Sequence, residues 1–406
     1  MISGAVCHRA PWLVTGVPGE FAPIADGAVV VSDGRIVAVG RFADCRDRAG
    51  AVVDHHGFVL VPALVNGHTH LELSALAELG QGATAAGDMP AWIGALLARR
   101  AELAAAGFDT GDAARAALAG LLASGCGLVA DIGNDPASAA LADASAVEVL
   151  FFYELLGLTR ESEARALALL ASLAEATSAT PHAPYSVTPR LLLDLKKRCR
   201  RLGQPYSIHL AESRDEVALL ADGSGGFPDF FRQRGVWDGS FRPPGCSPVA
   251  YLERLGVLDG QCLCVHCVQL DDADIDILAR TRAKVCLCPG SNSFLGVGRP
   301  PTGKLLAAGI LPALGTDSLA SNPLLSIWRE MRLLRAGEPG LDPATVFAMA
   351  TRGGAEALGR GASHGRLGVG RSARLLAVAC DAATKGGDVF DFLTTVGEAV
   401  TVQWIG

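Results

Sequence analysis

Nine histidines stand in this sequence of 406 residues, and five of them fall in stretches whose chemistry suits a metal ion. Those stretches are His68-Thr69-His70, Pro181-His182-Ala183-Pro184-Tyr185, His209-Leu210-Ala211-Glu212 and Cys264-Val265-His266-Cys267. The run Leu314-Gly315-Thr316-Asp317-Ser318 adds a carboxylate. Side chains alternate along a strand, so His68 and His70 at a strand end project from one face, spaced to chelate one ion. Three histidines and an aspartate leave a coordination position for water, an arrangement suited to zinc and open to ferrous iron. Any one of these histidines alone reads as a structural residue. Their common placement is what sets them apart.

That placement depends on the elements before each motif. The run Phe58 to Val65 is apolar and β-branched enough for one buried strand ending at the histidine pair. Candidate strands end near His70, Asp131-Ile132-Gly133, Glu154, His182, His209, His266, Pro289 and Asp317, eight in all. Helix starts are marked by Thr188-Pro189, Ser247-Pro248, Asn322-Pro323 and Asp342-Pro343, and stops by Gly203, Gly256 and Gly337. Eight βα units over about three hundred residues fit a TIM barrel, whose chemistry sits at the carboxyl ends of the strands. Two connections are long, Ser74 to Trp92 and the one through Gly223-Ser224-Gly225-Gly226 to Pro243-Pro244, and such loops cover substrates. Trp92, Phe227, Phe230, Phe231 and Trp237 lie in or beside them and are able to stack on an aromatic ring.

Both ends of the chain read as strands. Gly27 to Ser32, the turn Asp33-Gly34 and Arg35 to Gly40 make a hairpin signal, and Val52 to Val61 continues in strand character. Ala373 to Ala379 and Val400 to Trp404 are apolar without helical periodicity. The fold class expected is α/β: a (β/α)8 TIM barrel over 61–364, with a small β-sandwich domain built from 1–60 and 365–406.

With 50% hydrophobic and 19% charged residues the chain is a globular one, and a net charge of −7 offers no footprint for nucleic acid. No apolar run reaches membrane-spanning length unbroken, and Met1 to Arg9 lacks the layout of a signal peptide, so a cytoplasmic protein is expected. Eleven cysteines at irregular spacing do not make a disulfide scaffold. Cys262 and Cys264 share parity with His266 and are expected to point into the barrel below it. Cys286 and Cys288 do likewise on the seventh strand, as small apolar core residues.

Together these motifs resemble the amidohydrolase superfamily, in its mononuclear cytosine, adenosine and chlorotriazine deaminase branch, over nearly the whole chain. The resemblance implies that His68, His70, His209 and Asp317 ligate the metal. It makes Glu212 the proton shuttle, has His266 and Asp317 act on the attacking water, and puts His182 against substrate. Binuclear members need a carboxylated lysine on strand four, and Thr177 to Pro181 contains none. One divalent ion is therefore expected, zinc first and iron second. The run His68 to Ser74 resembles aminodeoxyfutalosine deaminases, with Glu72, Trp92 and Ser318 as further substrate contacts. Where Gly290 stands, an arginine is common in the branch.

The function implied is hydrolytic deamination of an aminated heterocycle, an adenine-bearing nucleoside in the first instance. The alternative is cleavage of another C–N or C–Cl bond, of triazine, guanine or cytosine type. A non-catalytic metal-bound barrel ranks below both. A small heterocycle is the expected partner, and a homo-oligomer stays open. His70-Leu71-Glu72 and Cys264-Val265-His266-Cys267 also echo the cytidine-deaminase signature. That reading fails, because Leu263 stands where its proline is required.

Overall fold

The apolar run Phe58 to Val65, expected as one strand, is two. The computed structural model describes residues 2–405 apart from 21, 83–86, 136–139, 142–146 and 382–384. In chain order, β1 is Ile2–Leu13, β2 Ile24–Ser32, β3 Arg35–Arg41, β4 Ala49–Asp54 and β5 Phe58–Pro62. Then come β6 Leu64–Thr69, β7 Cys126–Gly133, β8 Glu148–Leu155, β9 Ser178–Pro181, β10 Tyr206–Leu210, β11 Cys262–His266, β12 Lys284–Leu287 and β13 Ala313–Leu314. Near the end lie β14 Leu375–Ala379 and β15 Val402–Ile405. The switch between β5 and β6 falls at Pro62-Ala63. Proline has no N–H to continue the ladder. Ala63 then donates to Arg374 on one side while Leu64 donates to Gly125 on the other. Both halves of the run are buried, so no change of pattern marks the crossing.

The end strands join in one hydrogen-bonded sheet ordered β15-β14-β5-β1-β2-β3, with β4 also on β1. Twelve-residue β1 pairs antiparallel with β2 along one edge. Its other edge is shared, first by β4 and then by β5, both parallel. The β2–β3 hairpin closes as expected over Asp33 and Gly34, both at positive φ. The C-terminal stretch is not all strand. A helix, Val389–Thr395, buries Val389 and Leu393 against the main core. Seven residues are too few for a 3.6-residue period to show in sequence.

All eight strands read from the motifs are present, as two four-stranded parallel sheets, β6-β7-β8-β9 and β10-β11-β12-β13. With the alternating helices they form an α/β domain of TIM-barrel type. Backbone bonds cross both gaps between the sheets. Thr316 and Asp317 donate to the His68 carbonyl at 2.9 and 3.1 Å, and His209 donates to that of His182 at 2.9 Å. The eighth strand is only Ala313–Leu314, after which the chain bends to bring Asp317 round at φ 55°.

Several local signals resolve differently. Thr188, Ser247 and Asp342 cap their helices as expected. Asn322 caps nothing: its amide is spent on Thr316 O and Glu330, and the next helix starts at Ile327 under Ser326. Gly203 and Gly256 take the left-handed conformation of a helix stop, whereas Gly337 is still helical. The connection after His209 carries two helices, Arg214–Asp222 and Phe227–Gln233. Of Ser74 to Trp92, residues 83–86 lie outside the described part. The remainder is the end of the 3-10 helix Leu71–Leu76, the short helix Ala77–Gly80, turns, and the start of the helix Met89–Ala105, capped by Asp88.

The cysteines of β11 correct the parity argument. Leu263 and Val265 face the barrel interior with Cys286 and Cys288, while Cys262 and Cys264 face the helical layer. His266 still reaches the interior because its backbone sits at φ 72°, which breaks the alternation one residue after Val265. All eleven cysteines are free thiols.

Candidate metal centre

The carboxyl ends of the parallel strands bring His68, His70, His209, His266 and Asp317 into one buried cluster. The rings of His68 lie 4.8 Å from His70 and 4.9 Å from His209, centroid to centroid. Asp317 Oδ1 is 3.9 Å from His68 Nε2 and 3.7 Å from His70 Nε2. His266 Nε2 faces His209 Nδ1 at 3.1 Å and Glu212 Oε1 at 3.4 Å. Three overlapping groups have ligand atoms within 4.8 Å of one another: His68, His70, Asp317; His68, His209, His266; and His70, Glu154, His209.

Local backbone geometry aims these groups. Non-glycine residues at positive φ are uncommon and hold strain where structure demands it. Ala211, His266, Cys267 and Asp317 all adopt it, each at the end of a strand of the site.

Electrostatics favour the metal-binding forms. Burial holds His68 well below the ordinary imidazole range, reinforced by the neighbouring histidines, and it does the same to His209. Neutral imidazole is the ligand form. Burial acts to raise Asp317, but the facing histidines and a bond from Ser291 outweigh it and hold the carboxyl low. Glu212 goes the other way: burial raises it, only partly offset by His266. A raised pKa favours the protonated form, which is the form a general acid requires.

The cluster fits a metal on a further count. Both ring nitrogens of fully buried His68, and Nε2 of His209, have no hydrogen-bond partner. Leaving buried polar atoms unpaired costs about 1–3 kcal/mol each. An ion held by one ring nitrogen of His68, by His209 Nε2 and by the Asp317 carboxylate would remove that cost for two of these three atoms.

Other expected residues are placed less directly. His182 lies with its ring 5.0 Å from His209 and its Nδ1 on Ser186 Oγ at 2.7 Å; burial lowers it to about 4. The Glu72 carboxylate is engaged by Arg100 at 3.1 Å and by the Asn134 and Asp135 amides, each at 3.0 Å. Ser318 Oγ is 3.2 Å from Ser321 Oγ. Trp92 is half-buried with its Nε1 unpartnered. Phe227 and Phe231 stack on each other, and Phe227 stacks on Tyr185 at 4.4 Å, so these rings form an apolar wall.

Four supports escaped the sequence reading. Ser291 and Ser321 donate to Asp317 Oδ2 at 2.5 and 2.8 Å, and Asn292 Oδ1 meets His266 Nδ1 at 2.9 Å. Buried Glu154 lies 3.6 Å from His209 Nε2. Its position at a strand end, like the histidines, was the available signal. Below them, buried Glu330 accepts from Gly290 N at 2.6 Å and from Asn322 Nδ2 at 2.8 Å.

Gly290 is explained by what surrounds it. A Cβ there would lie 2.6 Å from Arg329 Nη1, Asn322 Nδ2 and Glu330 Oε1. Arg329 thus takes the space that a side chain at 290 needs. Gly290→Ala is expected to lower stability by about 1–3 kcal/mol through overpacking. A thermal melt checks this, and an unchanged melting temperature would show that the network gives way freely.

A histidine–carboxylate cluster of this kind, on the carboxyl face of parallel strands, defines a metallohydrolase of the barrel class. The chain belongs to the amidohydrolase family, whose model matches residues 59–396. Residues 27–51 match a bacterial imidazolonepropionase-like composite domain. The chain is 32% identical over 387 residues to 5-methylthioadenosine/S-adenosylhomocysteine deaminase of Moorella thermoacetica, covering 90% of this chain and 84% of that one. It is 31% identical over 374 residues to aminodeoxyfutalosine deaminase of Deinococcus radiodurans, covering 86% and 84%. A solved adenosine deaminase from Xanthomonas campestris with bound zinc superposes with a TM-score of 0.73 at 29% identity, covering 92% of this chain and 84% of that one.

Proposed function

We propose that this protein is a metal-dependent hydrolase that deaminates the adenine base of a nucleoside, water replacing the exocyclic amine and ammonia leaving. The observation that carries the reading is the pairing of buried Glu212, 3.4 Å from His266, with the cluster His68, His70, His209 and Asp317. Relatives spanning most of the chain are named for adenine nucleosides, which agrees.

On this reading His68, His70, His209 and Asp317 hold one divalent ion, zinc before iron. When bound, the ion makes water available as a nucleophile near neutral pH. Glu212 protonates the ring nitrogen beside the attacked carbon, takes up the second proton of the incoming water and passes it to the departing amine; the first, accepted by Asp317, then restores Glu212. His266, held by Asn292, orients the attacking water. Asp317, held by Ser291 and Ser321, accepts a proton from it. His182 and Trp92 face the substrate. Glu72 and Ser318, already bonded to protein groups, shape the pocket wall around it.

The reading extends to architecture. The parallel sheets close as one eight-stranded barrel over 61–364, which the bonds across both gaps support. Segments 1–60 and 365–406 make a sandwich-like domain, supported by two separate apolar clusters within the terminal sheet. A cytoplasmic setting completes it; no helix among the described residues is long and apolar enough to cross a membrane.

Steady-state ammonia release tests the substrate. Aminodeoxyfutalosine, methylthioadenosine, S-adenosylhomocysteine and adenosine are expected to be turned over with kcat/KM at least about tenfold above guanine, cytosine and a chlorotriazine, a difference of about 1.4 kcal/mol. A free base or triazine outrunning every adenine nucleoside overturns the reading.

A further inference from the structure

We infer that Glu216, whose carboxylate engages the Ala211 and Glu212 amides, is the positioning residue for Glu212. The inference rests on the reading of Glu212 as proton shuttle. Glu216 is completely buried on the helix Arg214–Asp222. Its two carboxylate oxygens turn back along the chain. Oε1 accepts from the Ala211 amide at 3.0 Å, and Oε2 accepts from the Glu212 amide at 2.9 Å. Both donors belong to the turn that carries the reacting carboxyl away from β10.

That turn needs holding. Ala211 sits at φ 51°, a conformation that an L-residue with a Cβ leaves readily unless its surroundings fix it. Glu216 fixes it from the amide side. From the carbonyl side, Val268 and Gln269 donate to Ala211 O at 2.9 and 2.7 Å. Those two residues directly follow His266 and Cys267, themselves at φ 72° and 50°. The carboxylate therefore fixes the bend that presents Glu212, and the Ala211 carbonyl ties that bend to the one that presents His266. The 3.4 Å spacing of these groups is the geometric result.

A neutral hydrophobic residue would fill the same space as Glu216. Burying a carboxyl instead is costly: desolvation raises its pKa, and the two amide bonds act against that rise by favouring the ionised form. The four acceptor sites of a carboxylate receive two converging N–H groups, which a glutamine cannot do: its NH2 would oppose one of them. Ser213 completes the device by accepting from the Glu216 amide at 3.2 Å, which sets the first turn of the helix.

The experiment is a double-mutant cycle on the metal-loaded enzyme, with Glu216→Gln, Glu212→Gln and the double variant. Misplacing a reacting group by about 1 Å costs about a hundredfold in rate. Glu216→Gln is expected to lose about ten- to a hundredfold in kcat. KM should stay within about twofold and metal content should match wild type, because the ligands are untouched. The double variant is expected to be no slower than Glu212→Gln alone, since Glu216 acts through that group. Hydrogen exchange supplies an independent readout: the Ala211 and Glu212 amides are protected in wild type and exchange faster in Glu216→Gln.

Wild-type kcat in Glu216→Gln overturns the inference, as does a double variant slower than Glu212→Gln by the full single-variant factor. Loss of metal in Glu216→Gln overturns it too, by moving the defect to the ligands. Should the glutamine variant not fold, Glu216→Asp runs the same cycle with a side chain too short to reach both amides. Full activity of Glu212→Gln is a different result. It removes the proton-shuttle reading itself, and this inference with it.

Discussion

His68→Ala empties the metal site and takes turnover to the detection limit. No other side chain of the cluster has both ring nitrogens buried and unpartnered, and its ring packs against His70, His209 and His266. Losing an outer-shell partner of a metal typically costs about 10–100-fold in affinity or activity. Losing a ligand from the centre of the cluster is expected to cost more. Elemental analysis should find one divalent ion per wild-type chain and close to none in the variant. Retained metal in His68→Ala would remove that residue from the ligand set. Two ions per active chain, both needed for rate, would reject the single-metal reading drawn from a fourth strand without lysine.

Glu212→Gln keeps the ion and loses the chemistry, with kcat down by about 10²- to 10⁴-fold, the usual worth of a general acid–base group. Glutamine preserves the volume and the backbone contact to Glu216, but it has no proton to give to a ring nitrogen. His266→Asn should fall in the same range, since the imidazole that Asn292 steers is gone while His68, His70, His209 and Asp317 are untouched. Rate and metal content measured on the same preparation decide the matter. Near wild-type turnover by Glu212→Gln on the true substrate excludes it as the shuttle.

The sequence was most readable where a buried strand ends in a residue of unusual chemistry. A run such as Cys262 to Val265 is long enough to announce a strand, and His266 then announces the face on which it ends. Alternation alone was less dependable. It aimed Cys262 and Cys264 the wrong way, because the bend at His266 is a backbone event that residue types do not record. The crossing at Pro62-Ala63 left no trace either, as both strands are buried on each side of it. Asn322-Pro323 has the letters of a helix cap, but Glu330 competes for the asparagine from eight residues on, and that competition exists only in space. The supports of the site share this character. Ser291 and Ser321 reach Asp317 from different elements, and Glu216 folds back on a turn whose strain is invisible until the chain is built.

The pairing of β5 with β14 also bears on how the chain is made. Leu375 lies opposite Pro62 in that ladder. The ribosome adds about 5–20 residues per second, so roughly 300 intervening residues leave the β5 edge waiting about 15–60 s for its partner. During that interval an apolar strand with unpaired amides and carbonyls is exposed, the kind of edge that recruits another chain. The barrel can assemble while the edge waits, since its own strands all lie between the two. A nascent chain halted before residue 375 would thus leave the β5 flank open and adhesive, and would lack the helix Val389–Thr395 that packs on the main core.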